Sequence, residues 1–265
     1  MQWFDELDLD PGSPAVAMKT RALGDQSWLL ADDRRSDELE LKADLCRDRH
    51  GEVFMTLPGT SEAADELIGL IEACGFAVST DPALHPLDRA GRSVQEDLCL
   101  LRRETTGWTL AAASVCFPTR WRLADKIGRS VTDVHAPIPG YRTRLAGRVD
   151  ALFDRLGDRI VRRRNWFVHP DPSLFQPRPP EDGDPTIPAS RCLADLVVRS
   201  ERQTLRRLDG TGSIVFTIRV QQASLGEVVG SRPDMVAYLH GAPASELHHR
   251  GMHPDQVVEL RLAVD

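Results

Sequence analysis

Two apolar runs, Leu98 to Arg103 and Trp108 to Phe117, are separated by only four residues, Glu104, Thr105, Thr106 and Gly107. A gap that short cannot carry the crossover that parallel neighbours need, so the runs predict an antiparallel hairpin. Pro118 closes the second arm, because proline has no N–H to offer a ladder. A second hairpin is predicted from Leu193 to Arg199 and Ser213 to Val220, where Ile214, Phe216, Ile218 and Val220 alternate and Asp209 to Gly212 supplies the turn. Ile160 to Val168 reads as a further strand, and the seven prolines from Pro170 to Pro188 then mark a long loop that cannot join a sheet.

Helical signals sit between these strands. Ala64, Leu67, Ile68 and Ile71 share one face of a helix from Ser61 to Gly75, and Ser93 with Glu96 has the spacing of a capping box. Thr119 is read as the cap of a short helix through Lys126, closed by Gly128. Leu145, Val149, Leu152, Phe153 and Leu156 line one side of a longer helix. From Ser224 onward the pattern is weak. Strands at hairpin spacing with helices grouped between them predict an α+β fold on an antiparallel sheet, not a doubly wound parallel one. No repeat is visible, and residues 1–265 are taken as one domain with N-terminal and C-terminal extensions.

Forty acidic against 33 basic side chains leave a net charge of -7, which gives a nucleic-acid backbone no broad positive field to follow. Leu110 to Phe117, the longest nearly apolar stretch, is far short of the roughly 20 residues that cross a bilayer. The acidic N-terminus, with Asp5, Glu6, Asp8 and Asp10, lacks the basic-then-apolar order of a secretory signal, so a cytoplasmic location is expected. Five widely spaced cysteines contain no C-x-x-C pair, which argues against a structural zinc site or an iron–sulfur cluster in this chain.

Three segments are richer in Trp, Arg, Pro and His than packing requires. They are Val115-Cys116-Phe117-Pro118-Thr119-Arg120-Trp121 through Val134-His135-Ala136-Pro137-Ile138-Pro139, then Arg163-Arg164-Asn165-Trp166, and then Glu201 to Leu208. With Gln95-Glu96-Asp97-Leu98 upstream, this ordered set resembles the alpha subunit of the haem-dependent oxidative N-demethylase family, over roughly residues 21–220. The resemblance implies a PAS-like antiparallel sheet with flanking helices forming a haem pocket. It also implies oxidation of a small secondary amine such as dimethylamine by O2, with haem b iron in this chain. Reducing power would come from reductase subunits carrying NADPH, FMN and an iron–sulfur centre, because this chain shows no dinucleotide fingerprint and no cluster-binding cysteines.

His135 is the leading iron ligand under that resemblance: imidazole is the commonest protein ligand to haem, and Pro137 and Pro139 stiffen its backbone. A lone histidine otherwise reads as a turn cap. His169 ranks second, Cys116 is a thiolate alternative that reads more simply as core, and the His248, His249 and His253 cluster reads as a solvated tail. Trp121, Trp166 and Phe216 either pack on a porphyrin or are large core residues, Asn165 lies beside them, and Lys126 either meets a propionate or is a solvated lysine at a helix end. Arg202 and Arg206 suit propionates or bound dioxygen, and Glu201 suits an ammonium or a proton transfer. The plain alternative for that run is an exposed charged edge, and strand phase decides which of its members faces a pocket. A competing function is a haem-based gas or redox sensor without turnover, disfavoured because no output module is visible.

Overall fold

The computed structural model describes residues 2–10, 17–138, 140–178 and 196–252. In chain order the elements are β1 (Arg21–Ala22), α1 (Arg35–Asp48), α2 (His50–Val53), β2 (Phe54–Thr56), α3 (Ser61–Ala73), α4 (Pro86–Gly91), β3 (Asp97–Glu104) and β4 (Gly107–Ser114). There follow α5 (Val131–Val134), α6 (Tyr141–Arg144), α7 (Ala146–Asp154), β5 (Val161–His169), β6 (Val197–Arg207), β7 (Ile214–Ser224), α8 (Leu225–Ser231), α9 (Asp234–Gly241) and α10 (Ala244–His249). The strands form one seven-stranded sheet in the order β1-β5-β6-β7-β3-β4-β2, and every neighbouring pair is antiparallel. No described helix is long and apolar enough to cross a membrane.

The expected first hairpin is β3–β4, turned at the pair Glu104 and Gly107. Gly107 takes a φ of +123°, which a side chain would resist. The second hairpin is longer than its apolar residues suggested: β6 and β7 pair from Val197 with Ser224 to Arg207 with Ile214. The charged run from Glu201 to Arg207 therefore lies inside a strand and does not connect two of them. The proline-rich loop is described as far as residue 178, and the rest of that expectation lies outside the described residues.

Helix α3 buries Ala63, Ala64, Leu67 and Ile71, as its periodicity predicts. Two short helices do not form as read. Ser93 and Glu96 do not cap one another: the Ser93 hydroxyl donates back to the Ala90 carbonyl, and Glu96 accepts the Leu30 N–H from 66 positions away. The chain instead enters β3 at Asp97. The Thr119 hydroxyl is taken by two charged side chains of β6, so the segment after it holds only a 3-10 turn, Leu123–Asp125. Helix α1 was not foreseen, because its inward face presents Glu38 and Lys42 beside Leu45 and Cys46 and so lacks an apolar stripe.

Successive strand residues point to opposite faces of the sheet, and the two faces are covered differently. On one, Leu98, Leu100, Ala112 and Val215 pack under α3 and α4, while Trp166, Val168, Val198 and Ala223 pack under α8, α9 and the N-terminal turn Trp3–Glu6. On the other, Cys99, Leu101, Leu110 and Ile214 meet Val131, Phe153 and Leu156 from the stretch containing α5 to α7. The second face is less completely covered: Arg163, Asn165, Phe167, Gln203, Leu205 and Phe216 are all half-buried.

Candidate functional site

The ladders align side chains into rows across the sheet. Val161, Leu205, Phe216 and Cys99 form one row of the face under α5–α7; Arg163, Gln203, Ile218 and Asp97 form the next; Asn165, Glu201 and Val220 the third. Adjacent residues in a strand cannot share a face, so Trp166 stands opposite Asn165, and Arg202 and Arg206 stand opposite Glu201.

The structure thus divides the expected site residues. His135, Asn165, Glu201 and Phe216 belong to the α5–α7 side, with Trp121 in the loop that borders it. Trp166 is buried on the other face against Tyr238, with ring centroids 5.6 Å apart. Arg202 donates to the Ser27 and Trp28 carbonyls at 2.6 and 3.0 Å, and the Arg206 guanidinium lies 4.7 Å from the Trp28 ring centroid. These two arginines fasten the N-terminal segment to the sheet and are not gathered with His135.

His135 follows α5, whose start is capped by Ser130 accepting the Asp133 N–H and whose continuation is blocked by Pro137. The imidazole Nδ1 lies 2.8 Å from the Val131 carbonyl oxygen. A carbonyl oxygen only accepts, so Nδ1 carries the proton and the Nε2 lone pair is left for another partner. The ring stacks on Tyr141 at 4.6 Å with an interplanar angle of 10°, which fixes its plane. Burial holds its pKa below the usual histidine value, and the Arg163 and Lys126 charges act in the same direction, so the ring is neutral at physiological pH. Burial also pushes the Tyr141 phenol up to about 12, keeping it protonated. Lys126 caps α5 by donating to the Val134 carbonyl at 2.8 Å.

Glu201 is 7% exposed. Its Oε1 accepts the Thr119 hydroxyl at 2.5 Å and its Oε2 accepts from Gln203 Nε2 at 2.8 Å. Arg199, on the same face of β6, donates to Thr119, to the Phe117 carbonyl and to the Ser173 and Leu174 carbonyls. From beneath, the Asp97 carboxylate accepts the Cys116 and Phe117 N–H groups. The segment leading to Trp121 is therefore held at both its donors and its acceptors. Beyond it lies a small cleft of about 80 Å³, lined by Trp121 with Val115, Pro118, Leu123 and Pro177 among others; His135 is not in its wall.

Asn165 Oδ1 accepts from Arg250 at 3.5 Å, and Phe216 touches two apolar clusters. His169 is buried at the end of β5; burial, with Arg199 and Arg120 nearby, lowers its pKa to about 4, and its Nε2 has no hydrogen-bond partner. Cys116 is buried against Cys46, whose hydrogen bond, together with burial, raises its pKa, so it offers no thiolate. His253 and the side chains of His248 and His249 lie outside what is described.

Two members of the site escaped sequence reasoning, Tyr141 and Arg163. Arg163 was legible: strand alternation places it with Asn165. Tyr141 joins through a tertiary stack that leaves no local pattern.

Among the described residues no three His, Cys, Asp or Glu side chains group to hold a metal ion. A neutral imidazole with a free Nε2 is of a kind that can ligate the iron of a tetrapyrrole, which brings its other ligands with it. The half-buried aromatic and aliphatic side chains around it suit an apolar ring, and the guanidinium of Arg163 suits an anionic substituent. The donor set fits a haem.

A family model described as "Haem-dependent oxidative N-demethylase, alpha subunit-like" matches residues 70–254, a span running from α3 to beyond α10. Comparison with curated proteins gives no match.

Proposed function

Given that the chain belongs to the haem-dependent oxidative N-demethylase, alpha subunit-like family, we propose that it binds haem b through His135 and removes an N-methyl group from a small secondary amine such as dimethylamine. The observation that carries this reading is the His135 tautomer: Nδ1 is bonded to Val131, the plane is stacked on Tyr141, and Nε2 is free. Fixing an imidazole through its second nitrogen is the usual way a protein orients a metal ligand. A PAS-like fold is supported by strand order. Numbered in chain order, β3, β4, β5, β6 and β7 lie as 2-1-5-4-3, and the helices inserted after the second strand cover one face.

When bound, the haem supplies the oxidant from O2 and two electrons. Overall, dimethylamine, O2, two electrons and two protons give methylamine, formaldehyde and water. The chain's own residues position and protonate. His135 would hold the iron through its Nε2. Glu201, whose oxygens each keep a lone pair beyond the Thr119 and Gln203 bonds, accepts an N–H of the substrate ammonium and takes its proton. After the methyl carbon is hydroxylated, the C–N bond breaks and the hydroxyl proton passes to the leaving amine. Asn165 and Phe216, on the same face of the sheet as Glu201, would line the space a haem held by His135 would take. Electrons arrive from partner subunits carrying NADPH, FMN and an iron–sulfur centre.

The direct test is an absorption spectrum of the purified protein reconstituted with haem, beside that of His135→Ala. A Soret band that shifts or vanishes in the variant supports the ligand assignment, and an identical spectrum removes it. Because a proton competes with iron for Nε2, haem affinity falls as pH drops below the depressed His135 pKa. Amine- and reductant-dependent formaldehyde release separates an enzyme from a gas or redox sensor, which binds ligand without turnover.

A further inference from the structure

The sheet carries a series of arginines, and most of them make hydrogen bonds or ion pairs through their Nη groups even where, as in Arg162 and Arg219, the Nε is buried without a partner. Arg164 donates to Glu6, Ser200 and Gln221; Arg219 pairs with Asp32 and Glu38; Arg207 donates to the Gly212 and Phe153 carbonyls. Arg163, in the middle of β5 under the α5–α7 side, makes no hydrogen bond, ion pair or ring contact among the described residues, and its Nε is buried without a partner. Its neighbours in charge are Glu201, Tyr141 and Arg250. Glu201 is the nearest opposite charge but makes no direct ion pair with it, since its oxygens are turned to the neutral donors Thr119 and Gln203.

A guanidinium cannot escape the cost of burial by losing its proton at physiological pH. A half-buried guanidinium with no direct ion pair and a buried, unpartnered Nε is a place where an anion can be received from outside. The planar fork of donors matches a carboxylate in bidentate contact. With Glu201 close by, a singly charged carboxylate is accommodated better than a dianionic phosphate. The walls beside Arg163, the His135–Tyr141 stack and the half-buried Leu205 and Phe216, are apolar, so the carboxylate is carried on an apolar body.

We infer that Arg163 is the carboxylate-binding residue of this site and pairs with a propionate of the bound tetrapyrrole. The inference rests on the haem reading above and concerns a residue that reading does not use. A second possible source of the same group is a substrate that is itself a carboxylate, an N-methyl amino acid.

The test titrates the full chain with haem and with haem dimethyl ester, in wild type, Arg163→Gln and Arg163→Lys, reading affinity from the Soret band. Loss of a charged hydrogen bond predicts a fall of about 10- to 100-fold for haem in Arg163→Gln, a change under about 2-fold for the ester, and partial recovery in Arg163→Lys. Unfolding of the haem-free proteins is the second readout. A ligand-binding arginine leaves Arg163→Gln at least as stable as wild type, whereas a structural one lowers its midpoint. If haem and ester weaken equally, or neither weakens, the propionate assignment is overturned while the haem reading stands. If haem affinity holds but the spectral response to N-methylglycine is lost and that to dimethylamine is kept, the carboxylate belongs to the substrate and the propionate assignment is overturned. Wild type that binds neither haem nor ester overturns both the inference and the haem reading.

Discussion

Two regions of one sheet differ in how they treat buried charge. Around α1 the charged groups answer one another: Arg219 pairs with Asp32 and Glu38, Lys42 with Asp97 and the Gly91 and Glu96 carbonyls, and Gln95 bridges Asp32 and Glu38. Beside α5–α7, Arg163 makes no direct ion pair among the described residues, and His169 and His135 each keep a free ring nitrogen. The first region is closed by its own residues, whereas the second leaves these groups without a partner among the described residues. Stability is stored where the polar groups are mutually satisfied, and binding capacity is stored where they are not.

The largest effect expected from that contrast is on the closed region. Burial holds Glu38 above the usual carboxylate range even beside Arg219. Arg219→Met strands it together with Asp32, and denaturant unfolding is expected to show a loss of about 3–5 kcal/mol. A loss under about 1 kcal/mol would mean that the network is not what closes this region.

The next effect is a pH dependence on the open side. His169, with a pKa near 4 when folded, is neutral in the native state, while the unfolded chain takes up a proton below about 6.5. Native stability therefore declines as pH falls through that window, by roughly 3 kcal/mol in total. In His169→Gln the pH slope of the unfolding free energy between those limits should flatten, and an unchanged slope refutes the assignment.

His135→Ala removes a stacked ring pair and one hydrogen bond at a half-buried turn. Its cost in the haem-free protein is about 1–2 kcal/mol, far below its effect on haem. Equal damage to fold and haem binding would make His135 a structural cap. The smallest effect belongs to Arg206→Met, which loses a cation–π contact with Trp28 worth about 0.5–1 kcal/mol and should leave haem affinity unchanged. A haem defect there would place the cofactor on the wrong face.

Much of the sheet was legible, because alternation and turn residues are local: β3, β4, β5 and β7 appear close to where their apolar patterns put them. Helix α1 was not, since a helix that buries Glu38 and Lys42 carries no hydrophobic signature. The site was half legible. Naming both Asn165 and Trp166, or both Glu201 and Arg202, asked neighbouring strand residues to share a face, which the pleat forbids. Applying alternation to Arg163-Arg164-Asn165 would have selected Arg163 in advance.

What the amino-acid order alone determined is the set of antiparallel strands, the turns between them and the proline-stopped position of His135, all consequences of backbone preferences within a few residues. What only tertiary structure decided is which charges are answered. Thr119 meets Glu201 across 82 positions and Arg219 meets Glu38 across 181. No local pattern reports partners so distant, because side-chain pairing across a sheet depends on register and covering layers that exist only once the chain has folded.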